Sequence, residues 1–121
     1  MLELEFSNLT PYSINAKDIE RHLESILRAL KHVDRVITEV TIVSEDKITQ
    51  LNHRWRGLNS PTDVLSFGVA QGDPREDFIG SMTICAEVAS RQAASGGVSL
   101  ITEIQSLSSH AMLHLLGYNH K

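Results

Sequence analysis

The chain has 121 residues, enough for one domain with a hydrophobic core of its own. Apolar residues make up 41% and charged residues 21%, and no apolar run approaches the roughly 18 residues of a membrane span. The formal net charge of −4 excludes nucleic-acid binding by bulk charge, so any such contact needs a local basic patch.

Taken in chain order, LELEF alternates and predicts a strand. From Ala16 the apolar residues Ile19, Leu23, Ile26, Leu27, Leu30 and Val33 recur at helical spacing, with Lys17, Glu20, Arg21, Glu24, Arg28 and Lys31 opposite. That pattern predicts an amphipathic helix. The β-branched VITEVTIV predicts a second strand. Ser44 is the expected N-cap of a short helix, with Glu45 and Asp46 at its positive end. Ile48, Leu51 and Trp55 mark its apolar side, which favours Trp55 as a core residue over the alternative of a base-stacking platform, and Gly57 ends it. LNSPTD is a loop, in which Asp63 is expected to brace the entry into the next strand, the alternative being a place near the metal as an acid, a base or a support for its ligands. VLSFGV and FIGSMTIC have strand length and flank the turn-rich AQGDPRED, which suits a hairpin. Ala86 to Ser95 turns helical and Gly96-Gly97 stops it. Ser99 caps a last helix whose apolar face includes Leu100, Ile104, Leu107, Ala111 and Leu115. Glu103 suits the positive end of that helix, and His22, His32 and His53 show no convergent spacing. The order β-α-β-α-β-β-α-α predicts one α+β domain over 1–121, a mixed sheet of about four strands with helices packed on it.

Cys85 is the single cysteine, which excludes an internal disulfide and reads as a buried small hydrophobe. With the acidic start MLELEF, unlike a signal peptide, this points to a cytoplasmic protein.

The end of the chain, SHAMLHLLGYNHK, carries the chemistry. His110 and His114 are four residues apart on the last helix, which sets their Cβ atoms roughly 5–6 Å apart on one face. Gly117 can end the helix in the left-handed conformation and let the chain return His120 to the same metal. Three imidazoles would leave a fourth zinc position open, as in catalytic sites. The alternative is histidines that merely favour the helix C-terminus. Zinc proteases share this spacing but carry Glu after the first histidine, where this chain has Ala111, so peptidase activity is not expected.

HAMLHLLGYNH resembles the H-G-x-L-H-L-x-G-Y-D-H motif of the YbeY endoribonuclease family. LNHRWRGLNSPTDVLSFGV is similar to the family's L-N-x-x-[YW]-R-G-x-x-x-P-T-D-V-L-S-F-P, and IGSMTICAEVA resembles L-G-D-I-x-I-x-x-E-x-A. The order and separation of the three stretches agree with the family. The resemblance implies an α+β fold with one zinc ion held by His110, His114 and His120 on and after the C-terminal helix. It implies cleavage of single-stranded RNA, a role in 16S rRNA 3′-end maturation, and association with the ribosome in quality control. No DNA or membrane partner is expected. Arg56 matches the functional arginine of the R-G pair, and its planar fork suits phosphate oxygens. A solvated surface arginine is the alternative reading of Arg56 from the residues alone. The chain departs from the family pattern at Gly68, Ser81, Ala111 and Asn119, where Pro, Asp, Gly and Asp are usual. Two rival functions remain open at this stage: a zinc-retaining ribosome- or protein-binding module with little activity, and a metal-dependent hydrolase of another substrate.

Overall fold

The computed structural model describes residues 1–118. The elements follow the expected order: β1 (Leu2–Asn8), α1 (Ala16–Ala29), β2 (Val36–Val43), α2 (Glu45–Arg56), β3 (Val64–Phe67), β4 (Phe78–Cys85), α3 (Ala86–Gly96) and α4 (Leu100–Leu115). The strands form one sheet in the order β1-β2-β4-β3. β1 and β4 both run parallel to β2, while β3 pairs antiparallel with β4 as the expected hairpin.

Alternation along the strands gives the sheet two unlike faces. Val36, Val40 and Ile42 of β2 and Met82 and Ile84 of β4 point into the main core. There they meet Ile19, Leu23 and Leu27 of α1 and Ile104, Leu107, Ala111 and Met112 of α4. The other face buries a smaller cluster, Val43, Leu65 and Cys85 under Ile48 of α2. Beyond α2 that face is polar and carries Glu39, Ser81 and Thr83 along the strands.

The caps sit where the residue types place them. Ser44 and Ser99 accept from the backbone N–H groups of Lys47 and Thr102, and Asn15 accepts from that of Lys17. Gly57 and Gly97 end α2 and α3 in the left-handed conformation. One boundary differs from expectation. α1 stops at Ala29, and Val33 is 90% exposed instead of extending the apolar stripe. Lys31 takes φ 55°, His32 N–H donates to the Leu27 carbonyl at 3.0 Å, and Lys31 N–H donates to the Arg28 carbonyl at 3.0 Å. This is a Schellman ending built on a lysine in place of glycine, so composition gave no stop signal.

A bulge in β4 brings three elements close together at Gly80. Ile37 pairs with Phe78 and Thr38 with Gly80, so Ile79 is the extra residue. Gly80 has φ +128°, and a Cβ there would stand 2.4 Å from the Phe67 carbonyl oxygen and 2.8 Å from Leu115 Cδ2. The bare backbone lets β3 and the last turn of α4 close over β4 together. The buried Thr38 hydroxyl donates to the Gly80 carbonyl at 2.8 Å and fixes the bulge from the neighbouring strand. Gly80→Ala is expected to cost about 2 kcal/mol or more, the sum of overpacking and an unfavourable φ. Urea unfolding of the two proteins measures it, and a midpoint equal to the parent's would show that α4 yields freely at this point.

Candidate functional site on the open sheet face

The polar sheet face and the end of α2 enclose an open groove of about 810 Å³. Trp55 and Arg56 line it from α2, Phe67 and Gly68 from β3 and the residue after it, and Glu39, Ser81 and Thr83 from the sheet floor. Asp73 and Arg75 of the β3–β4 connection and Phe78 at the start of β4 close it. Two positions at which the chain departs from the family pattern, Gly68 and Ser81, are therefore groove residues.

Arg56 is the last residue of α2, and the same turn carries His53 and Arg54. This is the local basic patch that an acidic chain needs for contact with phosphate. Asn52, two per cent exposed, donates from its amide to the Ser60 carbonyl at 2.8 Å and ties the following loop to α2. Arg56 is exposed and makes no ion pair with any described residue.

Trp55 corrects the expectation of a core residue: it is 61% exposed. Burial falls along α2, from Ile48 fully buried through Leu51 partly buried to Trp55, because the helix runs off the small cluster and overhangs the groove. The indole meets Phe67 in an edge contact at 5.8 Å between centroids and 64° between planes. The Arg54 guanidinium lies 5.6 Å from the indole centroid.

The other groove arginine is fully engaged. Arg75 donates to Asp73 from its Nε at 3.1 Å and from a terminal nitrogen at 2.8 Å, and to Glu39 at 2.8 Å. Glu5 stands 3.6 Å away, and the guanidinium sits 3.6 Å over the Phe78 ring. The hydrogen bonds to Asp73 and Glu39 raise the pKa of Arg75 above its ordinary value. Sequence reading missed this cluster, because its members lie on three strands and a loop and show no local spacing.

His110 and His114 fall on α4 as predicted, both exposed and on one face in its last two turns. The third expected ligand, His120, and Asn119 lie outside the described residues. Among the described residues no group of three metal-ligating side chains converges. Two imidazoles at helical spacing on a solvent-facing surface are donors that suit zinc, so this pair fits the expected ligand set. Neither histidine lines the groove. The two features are nonetheless joined through packing: Trp55 touches Phe67, and Leu115, next to His114, closes on Gly80 beside the Phe67 carbonyl.

Ala111, where the family has glycine, is 5% exposed within the main core, so its methyl group is accommodated there. Asp63 braces the start of β3 as expected: its carboxylate accepts from Val64 N–H at 2.7 Å and its carbonyl from Cys85 N–H at 2.9 Å. Cys85 is buried, and burial pushes its thiol pKa up, so it is poorly suited to act as a nucleophile.

The fold and groove are those of a small α+β protein with a mixed four-stranded sheet. A family profile described as Endoribonuclease YbeY matches residues 5–121. The Endoribonuclease YbeY of Micrococcus luteus is 38% identical, with 88% of this chain and 76% of that protein covered. That of Persephonella marina is 36% identical, over 90% of this chain and 72% of that protein. A Thermotoga maritima protein of known solution structure is 28% identical and superposes with a TM-score of 0.65 over 98% of this chain and 75% of its own. The chain belongs to the YbeY endoribonuclease family.

The acid response of the Arg75 cluster follows from one carboxyl. Asp73 is lowered from 3.8 to about 2, chiefly by its side-chain hydrogen bond with Arg75. A folded-state pKa below the unfolded value stabilises the folded chain in full above about pH 4, and that contribution is lost as the pH falls towards 2. A carboxyl titration by NMR should give a midpoint near 2 for Asp73, returning to the ordinary range in Arg75→Met. An unchanged midpoint in that variant would remove Arg75 as the cause.

Proposed function

We propose that this protein is a cytoplasmic endoribonuclease that cleaves single-stranded RNA across the β3 edge, where the groove meets the end of α4. Arg56 carries the reading: it is the groove guanidinium that no carboxylate among the described residues pairs, in a chain of an endoribonuclease family. By the family resemblance its substrate is the precursor of 16S rRNA near the 3′ end, and its setting is the ribosome and its quality control. No helix among the described residues is long and apolar enough to cross a membrane.

Within this reading Arg56 binds a phosphate through its planar fork and offsets negative charge that builds on it during cleavage. His110, His114 and His120 would hold one zinc ion. When bound, zinc supplies Lewis-acid polarisation of a phosphoryl oxygen. α4 packs against β3 and β4, so a strand leaving the groove over β3 comes next to the helix that carries the histidine pair.

Arg56→Ala should keep zinc content and stability, the latter within about 0.5 kcal/mol, because an exposed arginine outside buried networks contributes little to folding. Its cleavage rate on a single-stranded RNA should fall by on the order of a hundredfold, with only partial recovery in Arg56→Lys. Cleavage as fast as the parent's would make Arg56 a bystander. The net charge of −4 favours the rival reading of a binding module. Binding of ribosomes without chelator-sensitive cleavage by the parent protein would establish that instead.

The metal assignment has its own readout. His114→Ala should lose zinc in elemental analysis of protein purified without added metal, since His114 sits on the ordered helix. Full occupancy in that variant would exclude the three-histidine site.

A further inference from the structure

We infer that Trp55 is a stacking platform for one unpaired nucleobase of the RNA, and that it thereby selects single strands at the groove. The inference rests on the RNA-cleaving reading and adds a binding residue to it. Four observations carry it. The indole is 61% exposed, although it stands on the apolar side of α2. Its edge contact with Phe67 sets the ring against β3, and both rings line the groove. Its neighbours in the chain, Arg54 and Arg56, are cations on the same last helical turn, and Arg56 pairs with no described carboxylate. The carboxylates that line the groove, Glu39 and Asp73, are both bonded to Arg75 and do not neutralise that turn.

Aromatic surface beside a guanidinium that no described carboxylate pairs, that of Arg56, is complementary to a single-stranded nucleotide, which offers a base face and a phosphate within one repeat. A paired base has both faces covered by its neighbours in the duplex and cannot stack on an external ring without leaving the helix. Selection for single strands then follows from the platform itself, with no contact to base edges and hence little sequence preference.

Trp55 is the only tryptophan of the chain, so intrinsic fluorescence reports on it alone. The test is rapid mixing of the full protein with a short unstructured oligoribonucleotide, reading fluorescence before cleavage, with anisotropy of an end-labelled strand measured in parallel. The expected result is indole quenching that saturates together with the anisotropy. The same backbone carrying an abasic site in each position, or a fully paired duplex, should give little or no quenching. Trp55→Ala should weaken binding on the order of tenfold or more, and Trp55→Phe should recover most of the loss. Anisotropy that rises without quenching, with Trp55→Ala binding as tightly as the parent, would overturn the platform and leave the RNA reading intact. No rise in anisotropy at all would overturn both.

Discussion

The candidate site depends on the missing side chain of Gly80. At this point β4 has a bulge, β3 passes on one side and the last turn of α4 lies on top. With no Cβ in the way, Leu115 and the Phe67 carbonyl close to within distances that no other residue allows. Phe67 in turn holds the indole of Trp55, and Leu115 is adjacent to His114. A single glycine thus couples the basic end of α2, on one face of the sheet, to the histidine helix on the other. Interiors packed to crystal-like density transmit a displacement of this kind over several residues. Pushing α4 away from Gly80 would shift the histidine pair relative to Arg56 without touching either.

The groove solves a charge problem that composition alone poses. An acidic chain repels RNA, and the sheet floor carries Glu39 with Glu5 opposite it on the neighbouring strand. Arg75 draws Asp73, Glu39 and Glu5 around itself and stacks on Phe78. Its own charge is consumed in doing so. Asp73 is only 12% exposed, so its bonds to Arg75 are better shielded from solvent than an ordinary surface pair. The cluster also anchors the β3–β4 connection to the sheet and gives the groove its far wall.

Most of the fold was legible because its signals are local. Each strand showed its alternation or β-branched run, and Ser44, Gly57, Gly97 and Ser99 stand at the helix ends they were expected to mark. The end of α1 was not legible, since a lysine in the left-handed conformation gives no compositional warning. Trp55 was misplaced for a different reason. Helical spacing identifies the apolar side of α2, but the extent of the sheet beneath it is a tertiary property. Motif spacing and family resemblance singled out Arg56 and the histidine pair as candidates, and the structure adds what spacing could not: the groove that Arg56 lines and the Phe67–Gly80–Leu115 contact linking it to α4. The Arg75 cluster was invisible in sequence because it joins residues up to 70 positions apart.

Ser81 shows how a departure from the family pattern changes the field in the groove. An aspartate there would add a third carboxylate to a lining that now holds two, Glu39 and Asp73, against two guanidinium groups. Both existing carboxylates are bonded to Arg75. A further one would add negative charge to a groove that Arg56 also lines, and opposite charges attract. An arginine drawn into that pair would be held in place but partly neutralised. With serine at this position the field at the end of α2 is set by Arg54 and Arg56, and a phosphate meets cations that no described carboxylate has claimed. The departure therefore leaves the cations at the end of α2 uncompensated by any described carboxylate, and it removes from the groove a carboxylate that the family pattern would place there.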